Sequence, residues 1–142
     1  MPKHILWLDN DLPYIRPYVK ALRMKDYEVA DVAVVSKAEH LLEQFPFDLI
    51  ILDVMVPTQT VDESRNYSFT ETDKGHKTGL VFYKRIRDKM GDKLPTVLVM
   101  TVRLDQEIKK EFIKSGLKEE NFNTKYSLRD VSKFLKKIQS II

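Results

Sequence analysis

Apolar runs of strand length alternate along this chain with segments whose apolar residues recur at helical spacing. That alternation limits the folds open to it. Residues 4–8 (HILWL), 28–35 (EVADVAVV), 48–56 (DLIILDVMV), 95–101 (PTVLVMT) and 122–124 (FNT) read as strands. Unbroken apolar runs are expected where both faces of a strand are covered, and 48–56 is the strongest of them.

The intervening segments read as helices. Residues 12–24 (LPYIRPYVKALRM) place Ile15, Val19 and Leu22 at helical spacing. Pro13 suits a first turn, whereas Pro17 is awkward inside one. Ser36 and Glu39 have the spacing of a capping box opening a short helix that runs through Phe45. Helical spacing resumes at Leu80, Phe82, Tyr83 and Ile86. Residues 105–115 form a helix with Ile108, Phe112 and Ile113 inward, and Gly116 is placed to end it. Ser127 and Asp130 open a last helix that turns Leu128, Val131, Leu135 and Ile138 to one side. Five strands and five helices in strict alternation predict a parallel sheet covered by helices on both faces.

The 142 residues fit a single domain spanning 1–142, and a hydrophobic fraction of 43% can fill its core. The absence of cysteine excludes disulfides and cysteine-based metal sites or nucleophiles. The first apolar run breaks at Asp9, too early for a signal peptide or a membrane span, which fits a cytoplasmic protein. The net charge is +3, and much of the positive excess lies near the C-terminus, at Lys109, Lys110, Lys114, Lys118, Lys125, Arg129, Lys133, Lys136 and Lys137. Their spacing is scattered and no DNA-reading motif accompanies them. They read as solvated helix faces, with no direct DNA binding expected. His4, His40 and His76 likewise read as solvated side chains. With only four glycines and no glycine-rich phosphate loop, a nucleotide-binding site is not expected.

In a parallel sheet of this kind, ligands sit at the carboxyl ends of the strands. Asp9, Asn10 and Asp11 follow the first strand, Asp53 lies in the third, Thr101 ends the fourth, and Thr124 and Lys125 end the fifth. Asp11 alone could be a helix cap. Asp53 interrupts an apolar run, where an unpaired charge is costly. Together these groups point to metal-assisted phosphoryl transfer. A divalent cation relieves the repulsion between clustered carboxylates, and magnesium prefers one or two carboxylates, waters and a phosphate oxygen. Asp53 would accept the phosphoryl group as an acyl phosphate, while Thr101 and Lys125 would hold its oxygens.

The run DLIILDVMVP, with Asp53 and Pro57, resembles the phosphoacceptor strand of response-regulator receiver domains. ILWLDND at 5–11, PTVLVMT ending in Thr101, Gly79-Leu80 with Lys84-Arg85-Ile86-Arg87, and Thr124-Lys125 resemble the family's other motifs, in the family's order. The resemblance implies a flavodoxin-like, doubly wound, five-stranded parallel sheet of order 2-1-3-4-5 with five helices. It implies phosphorylation of Asp53 by a histidine kinase or phosphotransfer protein. Magnesium would be held by Asp9, Asn10, Asp53 and the Met55 backbone carbonyl, with Asp11 as a further candidate. Thr101 and Phe122 would be the switch pair. A downstream effector protein would bind near the fourth helix, fifth strand and fifth helix. Such a protein is a phosphoacceptor that assists its own phosphotransfer and dephosphorylation, not an enzyme acting on another substrate.

Four positions depart from the family pattern. Asn10 stands where a second acid is usual, so weaker metal binding is expected. Tyr126 follows Lys125 in place of proline, so a trans bond is expected there. Val102 is bulkier than the usual residue and is expected to narrow access to the phosphoryl group. Residues 58–78, rich in serine and threonine, form an inserted loop, either a lid or partner-recognition element or a tolerated surface loop. These departures leave a degenerate receiver, a binding module independent of phosphorylation, as the alternative. Asp9-Asn10-Asp11 also resembles the first motif of haloacid-dehalogenase-like phosphatases, but the later acidic pair of that family is missing.

Overall fold

The computed structural model describes residues 2–56, 67, 75–102 and 104–142. Ten main elements alternate: β1 (His4–Leu8), α1 (Leu12–Met24), β2 (Glu28–Val32), α2 (Val35–Gln44), β3 (Leu49–Leu52), α3 (Thr78–Met90), β4 (Thr96–Thr101), α4 (Gln106–Lys114), β5 (Phe122–Thr124) and α5 (Val131–Ile141). The strands form one parallel sheet in the order β2-β1-β3-β4-β5, as expected.

Side chains alternate across each strand, and the two sets enter separate cores. Leu6, Leu8, Ile50, Leu52, Val97 and Val99 face α2, α3 and α4, where they meet Val35, Ala38, Phe82 and Phe112. Ile5, Trp7, Leu49, Ile51, Leu98 and Met100 face α1 and α5, where they meet Ile15, Leu22, Phe134 and Ile138. This explains why the central strands are apolar between their ends: there is no solvent face to supply. Each such side chain contributes roughly 1.5–3 kcal/mol by leaving water. Trp7 stacks on Phe134 with ring centroids 5.4 Å apart, tying β1 to α5.

Several boundaries differ from expectation, for local reasons. The second strand stops at Val32, and Val34 becomes the N-cap of α2, so no Ser36–Glu39 capping box forms. Glu39 instead is buried and pairs with Lys89 at 3.1 Å. The third strand spans only Leu49–Leu52, which leaves Asp53 just beyond it. Asp130 alone caps α5, accepting from the Ser132 and Lys133 N–H groups, and Ser127 stays in the preceding turn. On α5 the buried residues are Phe134 and Ile138, with Val131 and Leu135 only partly covered. Ile113 lies on the exposed side of α4. Pro17 remains inside α1. Gly116 ends α4 as expected: its φ is 110°, its N–H donates to Ile113 O and the Leu117 N–H donates to Phe112 O. That double bond pattern is a Schellman motif.

Candidate functional site

The sheet's own hydrogen bonds carry the site residues into place. The Asp9 N–H donates to Val32 O, the Asp53 N–H to Leu8 O and the Lys125 N–H to Thr101 O, each continuing a strand ladder by one step. Asp9, Asp53, Thr101 and Lys125 are thereby gathered at one edge, and all four are buried. Below them Gly79 at the start of α3 presses on the end of β3. Its N–H donates to Val54 O at 2.8 Å, and a Cβ there would lie 2.3 Å from the Asp53 carbonyl oxygen.

Lys125 Nζ lies 2.8 Å from Asp9 Oδ2 and 3.5 Å from Asp53 Oδ2. Burial and the Asp9 charge push the Asp53 carboxyl up to about 6, against the pull of Lys125 and the Met55 N–H. Burial works against the Lys125 ammonium. The hydrogen bond to Asp9 and the charges of both carboxylates outweigh it and hold its pKa above the usual value. The Tyr14 ring, which sequence reasoning did not single out, covers Lys125 with its centroid 5.0 Å from Nζ. An aromatic at the third position of a helix is ordinary in sequence, so nothing marked it.

The other expected metal ligands stand at the rim. Asn10 is exposed. Asp11 is exposed too, and its carboxylate caps α1 by accepting from the Tyr14 N–H at 3.3 Å. The Asp11 N–H donates to Asp9 Oδ1 at 2.9 Å. Among the described residues no cluster of three acidic or histidine side chains is placed to hold a metal. The two buried carboxylates still suit a hard cation. Asp9 Oδ2 has the Lys125 ammonium as its close neighbour and no other hydrogen-bond donor among the described residues. A site of two carboxylates completed by a backbone carbonyl and water is within what magnesium accepts.

Thr101 opens onto a cleft of about 200 Å³ lined also by Val54, Met55, His76, Leu104, Asp105, Ile108 and Phe122. Phe122 is buried there and lies 5.6 Å from Phe112, centroid to centroid. The expected switch pair therefore shares one small space. Val102 is 64% exposed and lies outside the described lining of this cleft. Tyr126 is exposed, its ring stacked under Arg129 at 4.1 Å, and every described peptide bond is trans, as expected before a non-proline residue.

Pro57 and most of 58–78 lie outside the described residues. Tyr67 from that segment is buried in the core beside α2 and α3, with Arg85 4.1 Å from its ring centroid. Burial and the Glu39 charge raise its phenol well above the usual range. Neither this anchor nor the placement of His76 was foreseen, because a polar segment gives no periodicity to read. No described helix is long and apolar enough to cross a membrane.

No protein-family model matches the sequence, and no curated protein matches it. Solved structures do resemble the fold. A CheY-like response regulator receiver domain protein from Methanospirillum hungatei JF-1 superposes with a TM-score of 0.75 at 16% identity, covering 99% of this chain and 93% of that one. The chemotaxis response regulator CheY4 of Vibrio cholerae gives a TM-score of 0.71 at 21% identity, with both chains covered in full (100%). A response regulator protein from Burkholderia pseudomallei, solved with a phosphorylated aspartic acid, a calcium ion and citrate, gives 0.68 at 18% identity over 97% of this chain and 71% of that one. The chain shares their fold.

Proposed function

We propose that this chain is a response-regulator receiver that accepts a phosphoryl group on Asp53 from a histidine kinase or phosphotransfer protein. The observation that carries this is the buried quartet of Asp9, Asp53, Thr101 and Lys125 at the carboxyl edge of the sheet. A buried carboxylate held beside a buried ammonium and a hydroxyl is costly for a fold that makes no use of it. It is well suited to attack phosphorus. Asp53 is the nucleophile. Lys125 offsets the negative charge of the arriving phosphoryl group, and Thr101 donates a hydrogen bond to it.

Asp9, Asp53 and the Met55 backbone carbonyl would hold magnesium, with Asn10 and Asp11 close enough in sequence to reach it through water. When bound, the ion supplies charge neutralisation for the phosphoryl oxygens. The chain's own contribution is to position Asp53, keep Lys125 charged and admit Thr101 to the group. Contact with Thr101 biases the packing of Phe122, since both line one cleft. An effector protein binds the altered surface, where Leu104, Val102 and Tyr126 expose apolar area. The protein acts on no substrate other than its own acyl phosphate, and it works in the cytoplasm.

Asn10 favours a second reading, a degenerate receiver that binds its partner without phosphorylation. Beryllium fluoride, a phosphoryl mimic, separates the two. With magnesium present it should shift the amide resonances of Thr101 and Phe122 in the receiver. Unchanged spectra at saturating mimic would favour the degenerate form.

A further inference from the structure

We propose that His76 positions the water that hydrolyses the acyl phosphate on Asp53, an inference that rests on the phosphoacceptor reading above. The placement of His76 is fixed by its neighbours. Gly79 pins the first turn of α3 to the backbone of Asp53 and Val54. Thr78, fully buried, donates from Oγ1 to Gly75 O at 3.2 Å. Gly75 takes a φ of 88°, a left-handed conformation that glycine adopts without strain. The turn at 75–77 is thus held against the end of β3, with His76 in its middle.

That turn brings His76 into the cleft it shares with Thr101 and Met55. Both of those flank Asp53: the Met55 N–H faces Asp53 Oδ1 at 3.4 Å, and Thr101 ends the adjoining strand. Among the described residues most of the remaining wall is apolar. Asp105 is committed to capping α4, accepting from the Glu107 and Ile108 N–H groups at 3.0 and 3.2 Å. His76 is exposed at the solvent side and Thr101 is buried at the inner side. His76 thus stands between solvent and the wall of Thr101 and Met55 that borders Asp53. A neutral imidazole accepts one hydrogen bond and donates another, which suits holding a water.

The step it serves balances simply. The water oxygen forms a bond to phosphorus, the bond from phosphorus to the Asp53 oxygen breaks, and its electron pair restores the carboxylate. Both water protons leave with the phosphate as dihydrogen phosphate. His76 is a positioning residue: it holds the nucleophile and leaves the acceptor chemistry to Asp53.

The test uses the full chain loaded with acetyl phosphate and magnesium, freed of donor, and followed by intact mass as the label decays. His76→Leu should lengthen the half-life about tenfold, while His76→Gln, which keeps a hydrogen-bonding group, should stay within about twofold of the parent. An unchanged or shortened half-life in His76→Leu overturns the proposal, and so does His76→Gln decaying as slowly as His76→Leu. If the parent protein takes up no phosphate on Asp53, the phosphoacceptor reading falls first and this proposal with it.

Discussion

Lys125 Nζ sits 2.8 Å from Asp9 Oδ2 and 3.5 Å from Asp53 Oδ2, so one buried ammonium serves two buried carboxylates. Removing it leaves both without their compensating charge. Lys125→Ala should destabilise the protein by about 1–3 kcal/mol at pH 7, less than the full cost of an orphaned buried charge because the carboxylates can take up protons. The loss should shrink at pH 5. Urea denaturation at the two pH values checks this; an equal loss at both would mean that the ion pair does not set the cost.

Asp53 is held at about 6 against an ordinary value of 3.8. Its folded value lies above its unfolded one, so its contribution to stability is complete below about pH 4 and is lost as pH rises through about 6. Above that window the buried carboxylate is a net cost. Asp53→Asn should therefore be more stable than the parent at pH 7.5, on the order of 2 kcal/mol. At pH 4 the difference should nearly vanish. Thermal melts of both proteins across pH 4–8 measure it, and a variant less stable at pH 7.5 would contradict the electrostatic account.

Asn10 stands exposed beside the buried pair. Adding a carboxylate there gives a cation a further charged oxygen. Asn10→Asp should tighten magnesium about tenfold, read by titration calorimetry. Affinity that does not change would place residue 10 outside the metal's reach.

A Cβ at residue 79 would meet the Asp53 carbonyl oxygen at 2.3 Å and Val54 Cα at 2.7 Å. Backbone cannot swing aside as a side chain can. Gly79→Ala should cost at least about 2 kcal/mol by forcing α3 away from β3. A melting temperature within a degree of the parent would show that α3 and the end of β3 are not in close contact at Gly79.

The order of elements, the parallel sheet and the Asp9, Asp53, Thr101 and Lys125 edge were legible in sequence, because buried strands leave long apolar runs and the few polar residues at their ends stand out. Ends of elements were less legible. Ser36 and Glu39 have capping-box spacing, but Glu39 is buried and pairs with Lys89, a partner far along the chain. Phe134 was missed as the residue packed on Trp7, since a face assigned from Leu128 onward is rotated from the one that the helix starting at Val131 presents. Asp11 reads from sequence as a ligand or a cap, and its carboxylate caps α1. Tyr67 and His76 lie in a segment without periodicity, so only the three-dimensional contacts revealed them.

Incubation with acetyl phosphate and magnesium, followed by borohydride trapping and peptide mass mapping, shows whether Asp53 takes a phosphoryl group. One phosphoryl group per chain, located on Asp53 and absent from Asp53→Asn, is the predicted result. A label on Asp9 would indicate phosphatase-like chemistry, and no label at any donor concentration would contradict the phosphoacceptor account.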